Sequence, residues 1–200
     1  MWAQTTFPSL PGFGSSGSMP EASDGAPFPT SVVLPKSASM FTCADLLFSP
    51  VFHKHPDLQV ALSEGGIGWV PWLLERIDHV WERHRYYNDI VFDARPSDLF
   101  HRNMWGCFID DVLGMDVRDH IGVDRITWEG DYPHADCNWP NSRQAAAEHF
   151  AHVPDEDVHM MAELNARRLF HFDCARRRRR APRRSLPYCG APARGRGERD

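Results

Sequence analysis

Trp128-Glu129-Gly130-Asp131-Tyr132-Pro133-His134, continued by Trp139-Pro140-Asn141-Ser142, is the stretch on which the reading of this 200-residue chain turns. Before it, Asp124 to Trp128 has the form of a short buried strand, with Ile126 and Trp128 alternating against Arg125 and Thr127. Pro133 and Pro140 stop any regular element, so Asp131 is expected on a loop at the C-terminal end of a strand. In α/β proteins ligands and catalytic groups collect at that place. Trp128, Tyr132 and Trp139 are expected to exclude water from the carboxylate, which suits a metal ligand or a general base. An Asp that caps a helix within an aromatic-rich loop fits the same residues.

Working outward, Ala44, Leu47, Phe48 and Val51 fit one helical face that ends at His55-Pro56. Leu58 to Leu62 reads as a strand, and Ser63 to Trp69 as a turn. Pro71 to Tyr86 reads as a helix with Leu73, Leu74, Ile77, Val80 and Trp81 on its inner side. Residues 88–99 read as a polar connection, Phe100 to Ile109 as a buried strand, and Asp116 to Ile121 as a short helix. Arg143 to His152 is expected to be helical. A last helix opens at Pro154-Asp155-Glu156-Asp157 and faces Val158, Met161, Leu164 and Leu169 inward. Strands alternating with helices argue for parallel βα units.

Composition places the chain among soluble globular proteins with a real core. No apolar run is long enough to span a bilayer, and the N-terminus lacks the basic-then-apolar form of a signal peptide. Cys43, Cys107, Cys137, Cys174 and Cys189 are scattered without CxxC pairing, as expected of reduced thiols in a cytoplasmic protein. The net charge of −5 conceals an asymmetry: ten arginines against Glu198 and Asp200 give residues 176–200 a charge of +8, which leaves −13 on residues 1–175. Residues 1–40 are rich in Pro, Gly and Ser. Pro8, Pro11, Pro20, Pro27, Pro29 and Pro35 are expected to exclude helix there. Residues 174–200 are expected to form a disordered, Arg-rich tail. Its basic run raises nucleic-acid binding as a reading, which the acidic body and the lack of interleaved aromatics other than Tyr188 oppose.

Four blocks resemble the amidohydrolase superfamily, in particular its amidohydrolase-related branch, which includes aminocarboxymuconate-semialdehyde-type decarboxylases. They are Phe13-Gly14-Ser15-Ser16-Gly17 with Asp24-Gly25-Ala26-Pro27; His55-Pro56-Asp57-Leu58 through Ser63-Glu64-Gly65-Gly66-Ile67-Gly68-Trp69; Leu74-Glu75-Arg76-Ile77-Asp78; and the Trp128 to His134 stretch. Asn165-Ala166-Arg167-Arg168-Leu169-Phe170 is also typical of the branch. The resemblance implies an α/β fold, the C-terminal part of a TIM-type (β/α)8 barrel. A remnant would start near residue 10, and the main barrel portion would span residues 41–173. It implies a divalent metal, zinc first, and a small-molecule substrate undergoing hydrolysis or decarboxylation. Asp131 matches the last-strand Asp that binds metal or shuttles a proton. Glu64 matches a metal-ligand position, and His134 and Trp69 would lie near the substrate.

The chain also departs from the pattern. No counterpart of the first-strand HxH motif is present, and Gly12 stands where relatives commonly place the fifth-strand His. A complete barrel takes about 250 residues, so this chain is expected to supply only part of one. The open sheet would leave edges exposed, which makes a homo-oligomer or a non-catalytic half-barrel an alternative to an enzyme. His53-Lys54-His55 imitates an HxH pair but reads as a solvated helix end. His79, His84, His120, His149 and His159 read as surface residues, while His101 lies close to a strand.

Overall fold

A computed structural model describes residues 2–4 (backbone only), 23–87, 93–134 and 137–172. Gly12, residues 13–17 and the arginine-rich tail lie outside the described residues. The elements, in order, are β1 (Trp2–Gln4), α1 (Phe28–Val33), α2 (Ala38–Phe48), α3 (Val51–Lys54), β2 (Gln59–Leu62), α4 (Val70–His84), α5 (Pro96–Asn103) and β3 (Met104–Phe108). They continue with α6 (Val112–Asp116), α7 (Arg118–Ile121), β4 (Ile126–Trp128), α8 (Ser142–His149), α9 (Asp155–His159) and α10 (Asn165–Leu169), with a π-turn over Met160–Leu164.

The strands form one sheet in the order β1-β2-β3-β4, every neighbouring pair parallel, with Leu62 opposite Gly106 and Phe108 opposite Trp128. The strand period of two sorts side chains onto its faces. Val60, Leu62, Met104, Phe108 and Ile126 join Leu73, Leu74 and Ile77 of α4 and Leu99 and Phe100 of α5 in the main core. Ala61, Trp105 and Cys107 form a second cluster with Leu169. Because both faces are covered, all five residues of β3 are buried, and Thr127 is buried along with Ile126. The expected in–out alternation in β4 is therefore absent, as is usual for parallel strands. The α4 helix carries the expected stripe, and Pro71 stands in its first turn.

Several expectations are corrected. Prolines start helices here: Pro27 and Pro29 open α1, and Pro96 opens α5 within the stretch read as a polar connection. Asp78 of α4 fixes that start by accepting from the Ser97 N–H at 3.0 Å and its hydroxyl at 2.6 Å. Phe100 is consequently helical, and β3 begins four residues later. Val51 does not continue α2, because Pro50 forces Ser49 into extended backbone (ψ 158°) and α3 restarts beyond it. The short helix expected at residues 116–121 is α7, which starts at Arg118, and a further helix, α6, precedes it. Leu164, at the end of the π-turn, is 37% exposed, whereas Met161 and Leu169 are buried as expected. Asn165 points inward instead, its Nδ2 donating to the Val123 carbonyl at 2.8 Å and the Ile126 carbonyl at 2.7 Å.

Cys43, Cys107 and Cys137 are free thiols. Among the described residues no helix is long and apolar enough to cross a membrane. Asn165→Ala is expected to cost roughly 1–3 kcal/mol in urea unfolding, since it strips a buried and a half-buried carbonyl of their donor; a change below about 0.5 kcal/mol, the range of an ordinary surface substitution, would remove this role.

Candidate metal centre

The site is built on two strands that flank β3. After β2 the chain turns sharply through Ser63, Glu64, Gly65 and Gly66. Glu64 has φ 59° and Gly66 φ 65°, so a non-glycine residue is held in left-handed backbone at a cost of about 1 kcal/mol. The turn is fixed from outside. Asp111, which caps α6 through the Gly114 N–H at 2.7 Å, also accepts from the N–H groups of Ile67 at 2.6 Å and Gly68 at 2.8 Å. Trp69 donates its indole N–H to the Gly65 carbonyl at 2.9 Å. Gly65 itself has no room for a side chain, since a Cβ there would lie 2.6 Å from Ser39.

After β4 the Glu129 N–H extends the ladder to the Phe108 carbonyl at 2.9 Å, and the Glu129 carboxylate accepts the Glu64 N–H across the tip of β3. Burial pushes the Glu129 carboxyl up from 4.5 to about 7, with the neighbouring Glu64 and Asp131 charges adding to the rise and the Glu64 N–H and Ser63 hydroxyl opposing it. Asp131 follows two residues later. Its Oδ2 lies 2.7 Å from His134 Nδ1 within a turn closed by the His134 N–H on the Asp131 carbonyl at 2.9 Å. The Asp131 side chain is 16% exposed and that of His134 is 69% exposed.

One donor atom each from Glu64, Asp131 and His134 lies within 4.8 Å of the others. Neighbouring donors bound to one ion at about 2.0–2.3 Å lie roughly 3–4 Å apart, so the three side chains would have to close on a cation to share it. Two carboxylates and an imidazole make a donor set that suits a divalent transition metal. The residue types and spacings thus fit such an ion. The structure brings Glu64 and Asp131 together as the sequence suggested, and adds His134 to the donors. Trp69 sits on the same β2–α4 turn as Glu64, held by its backbone contact.

The aromatic shield differs from expectation. Tyr132 and Trp139 are 66% and 61% exposed and pack on each other, ring centroids 4.9 Å apart. Trp128 turns to the core, with its ring against Phe150 and its indole N–H on the Ile109 carbonyl at 3.1 Å. His149 is not a surface residue: its side chain is 11% exposed, stacks on Phe108, and accepts the Asp111 N–H at Nε2 at 2.8 Å. His53 is half-buried at the end of α3, and His101 is exposed in the last turn of α5, three residues before β3. Sequence reasoning missed Glu129 and Asp111. The first is adjacent to Asp131 in the quoted stretch, and the second has the form of a helix cap three residues before Gly114.

A family model described as Amidohydrolase matches residues 33–172. The fold resembles that of an amidohydrolase from Mycobacterium avium subsp. paratuberculosis K-10, at 26% identity and TM-score 0.58 over 70% of this chain and 35% of that one. It also resembles 5-carboxyvanillate decarboxylase from Sphingomonas paucimobilis, at 20% identity and TM-score 0.59 over 71% and 42%. A dihydroxybenzoic acid decarboxylase from Polaromonas sp. JS666, solved with bound manganese and the inhibitor 2-nitroresorcinol, matches at 23% identity and TM-score 0.51 over 66% and 40%. The chain spans between about one third and two fifths of the length of these relatives. No curated protein matches the sequence.

Glu129 gives the site a measurable pH signature. Between pH 4.5 and about 7 the folded chain holds a proton on Glu129 that the unfolded chain has released, so stability falls as pH rises through that window. The full difference is roughly 3 kcal/mol above pH 7. In chelator-treated protein, Glu129→Gln is expected to flatten this slope in unfolding curves taken across the window; an unchanged slope would assign it to other groups.

Proposed function

The chain belongs to the amidohydrolase family, and from that premise we propose that it carries one side of a metal-dependent hydrolase centre acting on a small-molecule substrate. The observation that carries the proposal is the convergence of Glu64, Asp131 and His134 at the C-terminal rim of the sheet. These three residues would hold a divalent cation, zinc or manganese, leaving further coordination positions for water and substrate. When bound, such a cation supplies Lewis-acid polarisation and neutralises developing negative charge. Asp131 keeps His134 oriented through the contact to Nδ1. Glu129, whose carboxyl is poised about neutral pH beside the donors, accepts or returns a proton at its carboxylate oxygens. Tyr132, next to Asp131 in the chain, and the Trp139 ring packed on it would offer an aromatic surface to a substrate.

Decarboxylation is the second reading, favoured by the chemistry named for the Sphingomonas and Polaromonas relatives. Release of carbon dioxide from a panel of aromatic carboxylates, set against hydrolysis of amides and esters, separates the two. Metal binding is tested first, by calorimetry with zinc and manganese on the chelator-treated full chain. One ion per chain is expected, with Asp131→Asn and His134→Gln each weakening affinity about tenfold or more. Binding of equal strength in Asp131→Asn would end the proposal. Glu64→Gly offers a sharper variant, because it deletes a ligand while relaxing the left-handed backbone. It should lose metal affinity yet keep stability within about 1 kcal/mol of the parent.

A further inference from the structure

At the opposite ends of the strands from Glu64 and Asp131, about 15 Å away along β2, an open cavity of about 510 Å³ is lined by Arg102, Arg125 and Arg168 together with Asp57, Trp105 and His171. Its volume falls in the range of small-molecule sites. Three arginines against one aspartate give the lining a formal excess of two positive charges, on a body that otherwise carries net negative charge. The internal partners neutralise only part of this excess, since counting Asp124 still leaves three arginines against two aspartates. Asp124 alone serves two of the guanidiniums, with its Oδ2 3.4 Å from Arg125 and 3.5 Å from Arg168. Arg102 bonds to neutral oxygens, the Asn103 side-chain carbonyl at 2.8 Å and the Phe52 backbone carbonyl at 2.9 Å.

The guanidiniums are also held in place. Arg125 and Arg168 both lie over the buried Trp105 ring, 5.0 and 4.8 Å from its centroid. Trp105 is fixed in turn by its indole N–H on Gln59 Oε1 at 2.8 Å. Burial depresses the Arg125 guanidinium, with the Asp124 carboxylate opposing the shift and the nearby Arg168 charge adding to it. The three side chains reach the cavity from three elements: α5, the turn before β4, and α10. A planar carboxylate satisfies one fork in one plane, whereas a tetrahedral phosphate presents acceptors in several directions, as this arrangement requires.

We propose that this cavity binds a small anion carrying two or more phosphate groups, separately from the metal centre. The test is calorimetric titration of the full chain with inorganic pyrophosphate at physiological ionic strength, with citrate as the carboxylate comparison. Saturable binding is expected, weakened about tenfold or more in R102Q/R168Q, with citrate weaker than pyrophosphate. Circular dichroism checks that the double variant folds; if it does not, R168Q alone carries the test, because that side chain is half exposed. Binding should persist in D131N and in a chain whose Arg176 to Arg180 are all replaced by Gln. Absence of saturable binding, or affinity that survives loss of the cavity arginines, would overturn the proposal. Loss of binding on neutralising the tail would assign the anion to the tail, and loss in D131N would assign it to the other rim. Citrate binding as tightly as pyrophosphate would overturn the phosphate assignment.

Discussion

Asp111 accepts three backbone N–H groups, from Ile67, Gly68 and Gly114, and the placement of Glu64 depends on that set of bonds. A tight turn in left-handed backbone relaxes unless its surroundings over-determine it. Here one carboxylate ties the β2–α4 turn to the start of α6, and His149 holds the Asp111 backbone in place by accepting its N–H. Removing either partner leaves the carboxylate or the amides buried without their hydrogen bonds, a larger penalty than the bonds' net worth. The backbone that carries Glu64 is thus fixed by the protein itself, as an ion site with few protein donors requires.

The parallel sheet supplies the other half of the arrangement. With β2, β3 and β4 running the same way, the residues that come after β2 and β4 emerge at one end, separated by a single strand. Glu129 spans that gap to the Glu64 N–H. The two acidic segments therefore meet although 65 residues separate Glu64 from Glu129. Burial chiefly, and the neighbouring Glu64 and Asp131 charges in addition, keep a proton on Glu129 up to about neutral pH. A cation at Glu64 and Asp131 would relieve the repulsion between these charges. The charge balance of the rim and the proposed metal thus belong to one account.

Much of this was legible in the sequence. Asp131 after a strand, the turn from Ser63 and the α4 stripe rest on local signals, and each stands where its pattern placed it, while Glu64 was singled out by the family resemblance. Features set by distant partners were not legible. His149 carries the residue type of a surface helix, and only its stacking on Phe108 and its bond to Asp111 bury it. The prolines of residues 27–35 and Pro96 carry two meanings, breaker or first-turn residue, and the Ser97–Asp78 bonds decide the second case. Exposure of Tyr132 and Trp139 could not be read either, since an aromatic run beside a carboxylate looks the same whether it covers the site or borders it.

The inward Asn165 has a consequence for how the last helical segment is seated. An apolar side chain at that place would tolerate sliding or rotation by a fraction of a turn, because dispersion forces are non-directional. An amide that donates to two fixed carbonyls does not. The C-terminal helix is therefore pinned like a key against β4 and the turn before it. Arg168, three residues along, inherits that angular setting and so comes to rest over Trp105.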